Sequence, residues 1–231
     1  MRFLKLICII FMFFAIMKAD DISDFEEEFS YYQINDPLIS YNKAMTEFNK
    51  GFYYYFSRPV LRTYIFLTPD FSRRAINNVF DNLSAPLRFS TNLLQFKFTK
   101  AKDELLRFMI NSTIGFLGLV DIGTHAGIPK HQADFGLVLA HWGVDGGFHF
   151  VLPFVGPSNF RDLLTMPIDW LLSPTTYFVK PFSASIGTKI YKTANNLSFY
   201  LDTFDDVYNN TPNLYPFLRD NYEITRKTLS K

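Results

Sequence analysis

The chain has 231 residues, enough for one domain with a core of its own and a short tail. Its 23 Lys and Arg against 22 Asp and Glu leave a formal charge of +1, which gives no global field for drawing in nucleic acid or an acidic substrate. Aromatic residues make up 18% of the chain, with 27 Phe and 13 Tyr. One small core does not require so many, and such rings are favoured in cores, at interfaces and at the headgroup level of membranes.

The chain begins MRFLKLICIIFMFFAIMKAD. Arg2 and Lys5 precede an apolar run over residues 6–17, and Ala19 offers a cleavage position. This reads as a secretory signal over residues 1–19. As a helix the run would rise only about 18 Å against about 30 Å of hydrocarbon, too short to span a bilayer comfortably. The single cysteine, Cys8, lies inside the run, so the exported chain is expected to carry no disulfide and no thiol chemistry. No later segment offers about eighteen consecutive apolar residues, and no ordinary transmembrane helix is expected.

Six acidic residues among residues 20–30 (DDISDFEEEFS) mark residues 20–34 as a solvated linker. Asp36 then reads as a helix cap with Pro37 at the first helical position. Leu38, Tyr41, Met45, Phe48, Phe52 and Tyr55 recur at alternating spacings of three and four, with Asn42, Lys43, Thr46, Asn49 and Lys50 off that stripe. Such a helix turns its apolar face to a core or to lipid, and amphipathicity alone does not separate the two. Further helices are expected after Asp70 as a cap and over KDELLRFMI, with Asp103 and Glu104 in its first turn, and Pro59, Pro69 and Pro86 punctuate the series. Residues 58–107 hold nine basic and four acidic residues, a local excess that fits either anionic headgroups or an ordinary solvated face.

The next segment, INSTIGFLGLVDIGTHAGIP, sets Gly115, Gly118, Gly123 and Gly127 in an apolar run with Asp121 as its only charge, a pattern that demands burial. Residues 135–162, FGLVLAHWGVDGGFHFVLPFVGPSNFRD, contain His141, Asp145 and Ser158. The run GPSNF lacks the second glycine of a serine nucleophile turn, so Ser158 reads as the cap of the helix that follows. His125, His131, His141 and His149 are scattered without a metal-ligand spacing. No phosphate-binding loop appears, and neither metal, cofactor nor catalysis is expected. Residues 181–231 regain mixed charge and helical spacing, with Pro212 and Pro216 between helices of the same domain.

Six separated pieces, DPLISYNKAMTEFN, RPVLRTY, NLSAPLRFSTNLLQ, RFMINSTIGFLGLVDIG, DFGLVLAHWGVDGGFHFVLPFVGPSNFRD and LYPFLRDNY, together resemble the MlaA (VacJ) outer-membrane phospholipid-trafficking family. The resemblance implies an all-α fold, a ring of amphipathic and short membrane-embedded helices with an irregular Gly-rich hairpin, its embedded part over residues 35–180. It also implies removal of misplaced phospholipid from the outer leaflet through an amphipathic channel. A trimeric porin-like protein and a soluble periplasmic lipid carrier are the implied partners, and no hydrolysis is involved. On this resemblance Asn42, Phe48, Asn49, Trp142 and Gly143 belong to the lipid path, and Asp145, Gly146 and Gly147 to a hinge or gate. The alternative is a soluble periplasmic lipid-binding or membrane-associated scaffold protein.

Many relatives carry a lipid-modified cysteine at the cleavage point, whereas here no cysteine stands near Ala19. The expected outcome is Sec export to the periplasmic side of the outer membrane, with removal of about nineteen residues and no acyl group. Intact mass of the mature protein checks both; a diacylglyceryl increment or a retained Met1 would contradict the reading.

Overall fold

The computed structural model describes residues 34–231; the signal expected over residues 1–19 and the linker as far as residue 33 lie outside the described residues. Residues 36–231 form a compact unit. Helix α1 (Ile39–Phe52) runs through a π-helical turn (Tyr53–Ser57) into α2 (Arg58–Leu67). Pro59 has no N–H for the carbonyl four residues back and its ring presses on that carbonyl, and the widened turn just before it relieves the clash. Next come α3 (Asp70–Leu94), α4 (Phe98–Thr113) and the short α5 (Ile122–His125) and α6 (Phe135–His141). A hairpin of β1 (His149–Leu152) and β2 (Gly156–Asn159) leads into α7 (Phe160–Leu172), α8 (Pro174–Phe178), α9 (Phe182–Leu197), α10 (Leu201–Asn210) and α11 (Leu214–Ser230). The expected all-α class holds, with this one two-stranded exception.

Several boundaries differ from expectation. Asp36 does not cap α1, whose N-cap is Leu38; its carboxylate instead accepts from Asn42, Tyr215 and Arg219. Pro69, not Asp70, precedes α3, and α4 starts five residues before Asp103 at Phe98. Pro86 lies inside α3 rather than ending it. Ser158 belongs to β2, and the cap of α7 is Asn159, whose Oδ1 accepts from Asp162 N at 2.9 Å. The longer amide side chain reaches the orphan N–H that the serine, one residue too early, does not.

Helix α3 is the element against which α4, α6, α8 and α9 pack, and its inner stripe is polar. Arg73, Asn82, Arg88, Thr91 and Asn92 are buried there, and Glu104, Arg107 and Asn111 face them from α4. Arg88 Nε donates to Glu104 Oε2 at 2.7 Å, and Glu104 Oε1 accepts the His131 N–H at 2.6 Å. Arg107 pairs with Asp121 at 2.7 Å, and Asn111 Nδ2 reaches the same carboxylate at 3.0 Å.

The outside of the same hairpin is apolar. Leu94, Leu105, Met109, Ile114, Phe116 and Leu117 are exposed, the last two 73% and 76%. Among the described residues 21 polar or charged side chains are buried against 11 apolar ones, while 39 large apolar side chains are exposed. The burial expected for the glycine-rich run is met by its glycines and not by its aliphatics: Gly115, Gly118 and Gly123 are buried. A Cβ on Gly118, whose φ is +94°, would stand 2.6 Å from Asn82 Cβ, so glycine permits both the left-handed turn and the close approach to α3. At about 1.5–3 kcal/mol per fully transferred large side chain, moving this exterior into a hydrocarbon phase is worth on the order of tens of kcal/mol.

The Arg88–Glu104 pair gives a direct test. Glu104→Leu leaves a buried guanidinium unpaired and is expected to cost about 3–5 kcal/mol, whereas Arg88→Met with Glu104→Leu recovers most of it. Unfolding in detergent, followed by loss of helical circular dichroism, measures both; equal stability of the single and double variants would contradict the account.

Candidate functional site

The hairpin is antiparallel, with His149 opposite Asn159 and Leu152 opposite Gly156. Only two strands exist in this sheet, so the free edge of β1 must find other partners. Two amides of α1 supply them. Asn42 Nδ2 donates to the His149 carbonyl at 3.1 Å while its Oδ1 accepts from Val151 N at 2.9 Å. Seven residues on, Asn49 Nδ2 donates to the Leu152 carbonyl at 2.9 Å and its Oδ1 accepts from Phe154 N at 2.7 Å. A seven-residue spacing is close to two helical turns and matches the rise of the strand, so each side chain pairs like one residue of a neighbouring strand.

The far end of the hairpin is held by α11. Glu223 Oε1 lies 2.8 Å from His149 Nδ1, and Glu223 Oε2 accepts from Asn159 Nδ2 at 3.2 Å. Arg226, one turn later, donates to Asp134 at 2.8 Å and Asp162 at 2.9 Å, tying the start of α6 to the start of α7. Asp134 itself caps α6 through Leu137 N at 2.8 Å. Asp169 of α7 accepts from Phe135 N at 2.9 Å, and burial raises its carboxyl to about 6 against the help of that N–H.

Between α6 and β1 the chain turns through residues 142–148. Gly143 and Gly147 have φ of +85° and +73°, backbone that glycine adopts without strain. The Arg161 N–H closes the turn on the Gly146 carbonyl at 3.1 Å, and the Arg161 guanidinium reaches the Val144 carbonyl at 3.1 Å. Asp145 is exposed, its Oδ1 accepting from Gly146 N at 2.7 Å.

Beside the hairpin tip lies a cavity of about 120 Å³. Asn49, Phe52, Tyr53 and Ser57 line it from α1 and the π turn, Phe154, Val155 and Gly156 from the tip, and Leu201, Phe204 and Tyr208 from α10. Its wall is the apolar cluster centred on Tyr53, Leu61 and Leu201. Tyr53 Oη donates to Asp205 at 2.8 Å, and Arg58 completes that group at 2.7 Å. The walls are apolar with a polar rim, an arrangement suited to an acyl segment or another apolar ligand.

A second, charged interior lies between α3, α4 and the connections around α5, with α9 packed on α3 beside it. Asp81, Arg88, Arg107, Asp121 and Lys130 surround a small polar cavity of about 10 Å³. Lys192 Nζ donates to Ser84 Oγ at 2.7 Å, and Lys189 Nζ stands 5.0 Å from the Trp170 ring centroid. Burial lowers both ammonium groups, Lys189 to about 8, with the neighbouring Lys192 adding to the shift.

The sequence-derived site residues fall in three places. Asn42 is fully buried on the hairpin edge and Asn49 is shared between that edge and the apolar cavity. Phe48 is exposed with its ring against Phe154 at 5.3 Å. Trp142 and Gly143 are exposed; Trp142 Nε1 donates to the Leu94 carbonyl at 3.0 Å and its ring meets Phe96 at 5.4 Å. Gly146 and Gly147 lie against Asn159 and Phe160. His141, Asp145 and Ser158 do not assemble: His141 is exposed and Ser158 is fully buried in β2. Among the described residues no group of three His, Cys, Asp or Glu side chains is placed to hold a metal. Sequence reasoning missed Tyr53, Lys189, Lys192 and Glu223. The signal for the charged interior was the helical spacing of Asn82, Arg88 and Thr91 on α3, continued by Gln95 at its C-cap, which marks an inner stripe as well as leucines would.

Comparison with known proteins adds an independent line. Residues 34–229 match the family model described as MlaA lipoprotein. An uncharacterized protein of Rickettsia bellii is 35% identical over 172 residues, covering 72% of this chain and 67% of that one. The intermembrane phospholipid transport system lipoprotein MlaA of Escherichia coli K12 is 32% identical over 133 residues, 55% of this chain and 53% of that protein. A solved structure, described as the structural basis for maintenance of bacterial outer membrane lipid asymmetry, superposes with a TM-score of 0.76 at 25% identity, over 85% of this chain and 100% of that one. With the helices, the glycine-rich turn and the hairpin all inside the matched span, the chain belongs to the MlaA lipoprotein family.

Proposed function

We propose that this protein transports phospholipid, removing misplaced lipid from the outer leaflet of the outer membrane and delivering it on the periplasmic side. The observation that carries the reading is the reversal of burial: polar and charged side chains inside, large apolar side chains outside. A water-soluble domain has the opposite arrangement, and an exposed apolar surface of this extent marks contact with lipid or another protein. No described helix is long and apolar enough to cross a membrane, so in this reading the chain lies embedded among lipids, with its irregular backbone buried in protein. The exposed exterior argues against the soluble scaffold.

The barrier to be lowered is large. At about 0.8 kcal/mol per CH₂, two acyl chains of roughly fifteen carbons resist passage through water by more than about 20 kcal/mol. A protein offering an apolar wall for the tails and a polar interior for the headgroup reduces that barrier without ATP. The cavity beside Asn49, Tyr53 and Phe154 suits the first task, and the polar side chains buried along α3 and α4 suit the second. A trimeric porin-like protein would contact part of the apolar exterior, and a soluble periplasmic carrier would receive the lipid. The relatives' name, intermembrane phospholipid transport system lipoprotein, supports the substrate class.

Gly147→Val places a β-branched residue at φ +73° with its Cβ 3.2 Å from Phe160 Cβ. The strain is about 1–3 kcal/mol, confined to the turn. Helicity and expression are expected to stay near normal while phospholipid accumulates in the outer leaflet and detergent sensitivity rises. Wild-type lipid asymmetry in the well-expressed variant would contradict a gating role for this turn.

Purified protein is expected to return bound phospholipid intact, because Ser158 is fully buried and has neither a histidine partner nor a nucleophile turn. Fatty-acid release that Ser158→Ala abolishes would falsify the transport reading in favour of an esterase.

A further inference from the structure

The charged interior beside α3 holds one cation more than its carboxylates balance. Arg88 is matched by Glu104, and Lys130 by Asp81. Lys189 and Lys192, one turn apart on α9, have no carboxylate within 4.0 Å among the described residues. Around Lys192 stand Asp81, Arg88 and Lys130, and Asp169 of α7 acts on Lys189 from farther off. With the Arg107–Asp121 pair included, the cluster sets five cations, Arg88, Arg107, Lys130, Lys189 and Lys192, against four carboxylates, Asp81, Glu104, Asp121 and Asp169. Both lysines are half-buried, and their direct partners are a hydroxyl and an indole face. Neither partner carries negative charge, so holding an ammonium there is costly until an anion arrives.

We propose that Lys189 and Lys192, with the Ser84 hydroxyl, form a recognition site for a phosphate diester, the headgroup phosphate of a phospholipid in transit. The inference rests on the transport reading and adds to it the place where the headgroup is recognised. A phosphodiester brings one negative charge, which cancels the surplus of one. Lysine suits a transit site better than arginine, since a flexible point charge holds phosphate without the bidentate grip that a guanidinium imposes. The two flexible stems also let the ammonium groups follow the phosphate as it moves along α9. Free phosphate shares the same chemistry and is separated from the lipid by experiment.

The test uses the full-length protein in detergent, with phosphatidylglycerol, diacylglycerol and inorganic phosphate as probes. Lys189→Gln with Lys192→Gln is expected to weaken phosphatidylglycerol binding by about tenfold or more and to leave diacylglycerol binding unchanged. Lys192→Arg in the otherwise wild-type chain should keep the discrimination between the two lipids. Without lipid, Lys189→Gln alone removes the surplus of one cation and is expected to unfold at a higher temperature than the wild type; a lysine kept for structure gives the opposite shift.

Unchanged phosphatidylglycerol affinity or an equal loss for diacylglycerol in the double variant, or a lower unfolding temperature for Lys189→Gln, would each overturn the site. Inorganic phosphate that binds the wild type while phosphatidylglycerol and diacylglycerol bind equally would assign the lysines to free phosphate and overturn the headgroup role. The two readings also fail separately. Normal clearance of outer-leaflet lipid by the double variant removes the site and leaves transport standing. Lysine-dependent phosphatidylglycerol binding by a wild type that clears no lipid in cells removes transport and leaves the site.

Discussion

The polar groups buried in this fold depend on partners inside the protein, and most of them find one; Arg73 Nε, Asn82 Oδ1, His149 Nε2 and Ser185 Oγ do not. That constraint explains the density of side-chain hydrogen bonds along α3 and α4. Glu104, fully buried, is shared between Arg88 and the His131 N–H, so one carboxylate fixes two helices and the connection beyond them. Asp121 does the same for Arg107, Asn111 and Thr124. An interior of this kind is expensive when half satisfied and specific when complete, which is why α3 serves as the packing surface for so many neighbours.

The hairpin obeys the same constraint on a smaller scale. A two-stranded sheet has unpaired edges, and at the edge of β1 Asn42 and Asn49 replace the missing strand. The two amides thereby determine where the tip of the hairpin lies, and with it the wall of the apolar cavity. Glu223 fixes the opposite end by gripping the register partners His149 and Asn159. Of the residues that resemblance assigned to a lipid path, Asn42 and Asn49 hold the backbone of the hairpin and Trp142 holds the Leu94 carbonyl.

The proposed function draws on two unlike surfaces within one small fold. The cavity beside the π turn is walled mostly by aromatic and aliphatic side chains, while the small cavity between α3 and α4 is walled mostly by charged and amide side chains. In the proposed function the tails lie against the first surface and the phosphate against polar groups. Neither surface requires a nucleophile, a metal or a nucleotide.

The sequence alone settled the helical class of residues 36–135, since spacings of three and four survive whichever face is buried. It also settled the bend at Gly146 and Gly147, because adjacent glycines mark a turn in any environment, and the absence of a serine nucleophile turn. Which face of α1 points inward was beyond it. The stripe of Leu38, Tyr41, Phe48 and Tyr55 is exposed and Asn42 and Thr46 are buried, and periodicity is blind to that sign. Asp36 illustrates the other limit: its local pattern fits a cap, but Tyr215 and Arg219, 179 and 183 positions later, claim its carboxylate. Lys189 and Lys192 likewise read as ordinary helix lysines until α3 and α7 close around them. Local sequence fixes period and turn, whereas the sign of burial and the partners of a charge belong to the chain as a whole, and only the tertiary structure decides them.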